Sequence, residues 1–113
     1  MNESGNEARL MEMQGRLCRA LSEPKRIGII YALADRERSV GELAEAVGAS
    51  LTNVSQHLTV LRGCGMVRSR KDGTSVLYSL TDPKIMEACR ALREVIKTLI
   101  GDRELLLDRP RQG

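Results

Sequence analysis

From Thr52 to Val67 the chain reads TNVSQHLTVLRGCGMV, a run with no acid and a single arginine. Its polar side chains are short amides and hydroxyls: Thr52, Asn53, Ser55, Gln56 and Thr59. Such groups exchange hydrogen bonds with base edges and phosphates, whereas a carboxylate between two rows of phosphates is repelled. Gln56 and Asn53 have the paired donor and acceptor that a bidentate contact to adenine needs. Thr52, Ser55 and Thr59 could reach bases or phosphates. Arg62, Arg68, Arg70 and Lys71 would neutralise backbone charge. His57, the single histidine, suits a phosphate or capping contact better than metal ligation. A merely solvated helix face would also be polar, so the elements around this run must decide.

Three cysteines, Cys18, Cys64 and Cys89, are the other reactive groups. Their odd number and irregular spacing give no disulfide framework and fit a reducing cytoplasm. Each could be a small apolar filler or a soft-metal and redox ligand.

Catalysis has little to work with. There is no Gly-rich phosphate loop and no nucleophile elbow. Ser55 and His57 are two apart on a helix, about 160° from one another, and cannot form a dyad. The chain is expected not to be an enzyme.

The elements that must hold the polar run follow from periodicity and punctuation. A first helix is expected from about Glu7 to Leu21, with Leu10, Met13, Leu17 and Leu21 on one stripe. Ser22 and Pro24 mark a stop and restart, and Ile27, Ile30, Tyr31 and Ala34 give a second helix its buried face. Ser39 and Glu42 have capping-box spacing and open a short third helix, Val40 to Val47. Gly48, Ala49 and Ser50 make a tight turn, with Ser50 a candidate cap. In the fourth helix Leu51, Val54, Leu58 and Leu61 cover an arc of roughly 80°. Thr52, Asn53, Gln56 and Thr59 stand opposite, flanked by Ser55 and His57.

Two β-rich runs around Asp72-Gly73 then predict a hairpin. Asp82-Pro83 starts a last helix to about Ile100, with Ile85, Cys89, Leu92, Ile96 and Leu99 along a heptad-like seam. A short helix, a three-residue turn and a second helix make a helix-turn-helix, and the hairpin after it is a wing. The expected fold class is mainly α with a small β-hairpin, a winged helix-turn-helix in the order α-α-α-α-β-β-α. Residues 1–103 would form one DNA-binding domain and 104–113 a flexible tail.

Composition agrees. The chain has 113 residues, no Phe or Trp and two Tyr, so its one core is built from aliphatic residues and Met. Met11, Met13, Met66 and Met86 fall on apolar stripes or strand positions. The start shows no apolar signal segment, and no run is long enough to span a bilayer, so a cytoplasmic protein with no membrane partner is expected. Net charge is +3, and residues 50–80 carry four basic groups against one acid. No acid lies between Glu45 and Asp72. An acid-free window in a charged chain points to an anionic partner.

The segments RALSEPKRIGIIYAL and SVGELAEAVGASLTNVSQHLTVLRGCGMVRSRKDGTSVLYSLTD, with the flanking helices, resemble the ArsR/SmtB family of bacterial winged-helix repressors. The resemblance spans about residues 10–100, and the family's Ser-x-His-Leu pattern falls on Ser55, His57 and Leu58. It implies a homodimer joined through the first and last helices, with Leu10, Met13 and Leu17 facing Ile85, Cys89, Leu92, Ile96 and Leu99. It also implies a double-stranded DNA operator, released when a metal, metalloid or thiol-reactive inducer binds.

The family's known ligand sets are incomplete in this chain. Where one site has Cys-x-Cys, residues 38–42 contain no thiol. Asp82 matches the start of another, but Lys84, Val95 and Thr98 fill its remaining positions. Cys64 matches the second cysteine of a Cys-x3-Cys site, with Val60 in place of the first. Tyr31 stands where a persulfide-sensing second-helix cysteine would be. The metal is thus unassigned. Cys18 and Cys89 could meet where the terminal helices pack, as a dithiol switch or a site for a soft metal, metalloid or reactive sulfur species, with Cys64 as a third thiol. Two other readings remain: a winged-helix module that binds protein, and a family repressor with no small-molecule inducer.

Overall fold

The computed structural model describes the backbone of residues 3–107 and the side chains of residues 5–101. The order is α1 (Glu3–Ala20), α2 (Pro24–Ala32), β1 (Arg38–Ser39), α3 (Val40–Val47), α4 (Leu51–Gly63), β2 (Val67–Asp72), β3 (Ser75–Leu80) and α5 (Lys84–Leu107). It is a winged helix-turn-helix. The stretch expected as a flexible tail, 104–113, lies outside the residues whose side chains are described.

Capping chemistry fixes the helix-turn-helix. The Glu42 amide donates to Ser39 Oγ (3.2 Å), and the Ser39 amide donates back to Glu42 Oε1 (2.9 Å), completing the capping box at α3. Gly48 ends α3 at φ 66°, a left-handed conformation that favours a residue without Cβ. Two residues on, Ser50 Oγ accepts from the Asn53 amide (3.0 Å) and starts α4. One cap differs from expectation. Glu23, not Ser22, is the α2 cap, its Oε1 accepting from the Lys25 amide at 2.8 Å. The Ser22 hydroxyl instead turns back to donate to Arg19 O (2.7 Å).

Side chains of α2, α3 and α4 make the core. Ile29, Ile30, Leu43, Val54, Leu58 and Leu61 are fully buried, with Leu33, Met66, Val67 and Met86 around them. Leu51, expected on the inner stripe, is exposed because it is the first residue of α4 and extends past the core. Met11 and Met13 are likewise exposed in the single chain, whereas Met66 and Met86 are buried.

The wing is larger than the two-strand hairpin expected. The two-residue β1 pairs antiparallel with β3, giving the order β1-β3-β2. Asp72 pairs with Ser75, leaving Gly73 and Thr74 as the turn, and only Gly73 (φ 66°) has positive φ. That is the glycine-first primed turn, whose twist suits a hairpin. Thr81 anchors the end of the wing, its hydroxyl donating to Gly65 O at 2.7 Å.

The terminal helices stand apart from this core. Beyond its last turn α1 packs little against any other element. Leu10, Met13 and Leu17 on α1 and Leu92, Val95, Ile96 and Leu99 on α5 are exposed, Leu99 to 77%. Within α5 the backbone breaks at Gly101 (φ 67°, ψ 163°), where two helical pieces meet at a kink.

Candidate nucleic-acid interface

Burial of Val54, Leu58 and Leu61 turns the opposite face of α4 outward. Thr52, Ser55, Gln56 and Thr59 are all exposed there, and Arg62 is exposed in the last turn. The Thr59 hydroxyl donates to Ser55 O (3.0 Å), a common resting bond for a helical threonine. No hydrogen bond engages the Gln56 amide among the described residues, so both its donor and its acceptor face solvent.

Asn53 and His57 stand differently. Asn53 is half-buried, and its Oδ1 is buried without a hydrogen-bond partner. A bidentate contact to a base therefore requires this side chain to rotate. His57 is drawn inward to 14% side-chain exposure, with Nδ1 3.2 Å from Arg26 Nη1 and Nε2 3.6 Å from Glu23 Oε1. Its ring ties α4 to the start of α2.

Arg26 and Glu23 are the residues that sequence reading missed here. Arg26 Nε also donates to Ala20 O (2.6 Å), so one guanidinium links the end of α1 to α4. Lys25 Nζ donates to Val47 O (2.8 Å), placing a cation at the carbonyl end of α3. Glu23, Lys25 and Arg26 together set α2 against the helix-turn-helix. Their only sequence signal is the cluster around Pro24.

On the wing, Arg68 and Lys71 are exposed and make no hydrogen bond or ion pair among the described residues. Arg70 does: its Nε and Nη2 donate to Glu37 Oε2 (2.8 Å) and Oε1 (2.7 Å). These bonds hold the Glu37 carboxyl below the usual carboxylate range, with the charges of Arg70 and Arg68 adding to the effect. The acid-free window of the sequence is thus not acid-free in space.

The three cysteines are free thiols in separate places. Cys18 is exposed on α1. Cys64 caps α4, its Sγ donating to Leu61 O at 3.5 Å. It lines a groove of about 370 Å³ with Met13, Arg16, Leu17 and Arg62. Cys89 lines a smaller cavity of about 130 Å³ between α2 and α5, with Tyr31 and Arg93. There the Arg93 guanidinium lies 4.2 Å from the Tyr31 ring centre. Burial pushes the Cys89 thiol up, and Arg93 only partly opposes this. Among the described residues of one chain, no three His, Cys, Asp or Glu side chains converge as a metal site. No described helix is long and apolar enough to cross a membrane.

Residues 23–69 match the family described as bacterial regulatory protein, arsR family. An HTH-type transcriptional regulator of Mycobacterium tuberculosis, Rv0081, is 38% identical over 105 residues, which cover 92% of this chain and 92% of that one. CmtR of the same species, also an HTH-type transcriptional regulator, is 38% identical over 98 residues, covering 87% and 83%. Among solved structures, the Mycobacterium bovis protein Mb0332, described as a homodimeric winged helix-turn-helix DNA-binding domain, superposes with a TM-score of 0.77. The two are 28% identical, over 88% of this chain and 92% of that one.

Proposed function

The chain belongs to the ArsR family of bacterial regulatory proteins, and from that premise we propose a dimeric cytoplasmic repressor that reads its operator through α4. The observation that carries this reading is the outward face of α4. Thr52, Ser55, Gln56 and Thr59 are exposed there without an acid among them, while the helix's apolar face is fully buried. Gln56 is the base-reading residue, with Thr52, Ser55, Thr59 and a rotated Asn53 beside it. Arg62, Arg68 and Lys71 contact phosphates, Arg70 is held by Glu37, and His57 sets the pitch of α4. The function is binding and not catalysis.

Dimerisation joins Leu10, Met13 and Leu17 to Ile85, Cys89, Leu92, Ile96 and Leu99 across a two-fold axis. An isologous dimer presents its recognition helices about 34 Å apart, one DNA turn, so the operator is an imperfect inverted repeat.

Release by a thiol-directed inducer (a soft metal, a metalloid or a reactive sulfur species) completes the proposal. Cys18 and Cys89 form the candidate pair across the subunits, and Cys64 is the competitor at the end of α4. An inducer acts only through its differential affinity for the two states. The test is DNA affinity of Cys18→Ser, Cys64→Ser and Cys89→Ser, with and without As(III), Cd(II) and a polysulfide. Loss of response in at least one variant is expected. If all three variants are released as the wild type is, the thiols are packing groups.

A further inference from the structure

The Arg70–Glu37 pair is unlike the other surface ion pairs. Arg36–Glu42, Arg38–Asp35 and Lys97–Glu94 are single contacts at 3.3–3.5 Å, two of them between residues three apart. Arg70 and Glu37 are 33 residues apart and meet through two charge-assisted bonds of 2.7 and 2.8 Å. The sheet order explains how: β3 lies between β2, which carries Arg70, and β1, which begins one residue after Glu37. Strand alternation places Arg68 and Arg70 on one face of β2 and Lys71 on the other.

We propose that Glu37 tunes DNA affinity by competing with phosphate for Arg70, withdrawing one positive charge from the wing. Affinity for DNA of any sequence is set by how many phosphates the protein neutralises, each adding about 0.9 to the salt slope. A guanidinium paired with a carboxylate is neutral as a unit and adds nothing to that count. Arg68 and Lys71 remain as the wing's available cations. Sequence reading by α4 is untouched, so Glu37 sets the electrostatic baseline and not the base preference.

The inference rests on the reading that the wing touches DNA, and one set of variants separates the two. The salt dependence of affinity for a random-sequence duplex is measured for the full chain, Glu37→Gln, Arg70→Ala, the double variant and Lys71→Ala. Both side chains of the pair are solvent-accessible, so these changes leave the core intact. Glu37→Gln is expected to steepen the slope by about 0.9 and to raise affinity roughly fivefold near 0.15 M salt. The double variant should return to the wild-type slope, because a neutral pair has been replaced by two neutral side chains. Wild-type behaviour of Glu37→Gln, or weaker binding, overturns the inference, provided Lys71→Ala still loses about one unit of slope. If Lys71→Ala also matches the wild type, the wing does not touch phosphate, and the reading and the inference fall together.

Discussion

Gln56 and Asn53 carry the same amide chemistry, but burial separates their roles. Gln56 presents both ends to solvent, whereas Asn53 has an inward oxygen without a partner. Leaving such a group unpaired costs about 1–3 kcal/mol in general. Asn53→Ala should therefore lose less operator affinity than Gln56→Ala, without loss of thermal stability, as binding isotherms and melting curves would show. His57 illustrates a second separation. Its spacing puts it beside the polar arc, but Arg26 and Glu23 hold its ring. Arg26→Ala removes the bonds to Ala20 O and His57 and should destabilise the fold by about 1–2 kcal/mol, measurable by urea titration. Acid titration offers a further check at this scale. Glu37 and Glu42 are both held below their ordinary value of 4.5, by Arg70 and by the Ser39 amide respectively. A lowered native pKa contributes stability that is complete above the unfolded value and is lost as pH falls through the native one. Stability should thus be flat in these groups at neutral pH and decline below about pH 4.5, less steeply in Glu37→Gln and Glu42→Gln.

At the scale of elements, what could be read from sequence was what local chemistry determines. The Ser39–Glu42 box, the Ser50 cap and the Asp72-Gly73 turn are short-range signals, and α3, α4 and the hairpin follow from them. β1 was not legible because two residues have no periodicity and exist as a strand only by pairing with β3. The Glu37 clamp was hidden for the same reason: it depends on which strand lies beside which, not on spacing. Leu51 kept the helical period yet stayed outside the core, since period gives a direction and not a depth. The caps also make a prediction. Ser39→Ala breaks the capping box ahead of the recognition unit and should cost about 1 kcal/mol in denaturant midpoint stability. Ser39→Asp should restore most of it.

The whole molecule is built for a partner. Its radius of gyration is 16.6 Å, against roughly 13 Å for a compact chain of this length. The uncovered leucines and methionines of α1 and α5, with Val95 and Ile96, form a surface that a lone globular domain would not maintain. Arg in place of Ile96 or Leu99 should convert the dimer to monomer in sedimentation and abolish tight DNA binding, while the α2–α4 core still melts cooperatively. A wild-type chain that sediments as a monomer at micromolar concentration would contradict the assembly. The central claim, that α4 reads bases from within this dimer, is tested most directly by one comparison. Wild type and Gln56→Ala are titrated against an operator selected from genomic DNA and against random duplex at the same salt. The account predicts that Gln56→Ala loses about 1–3 kcal/mol on the operator and almost nothing on random DNA. Equal losses on both duplexes would place Gln56 on the phosphates or off the DNA, and α4 would not be the reading element.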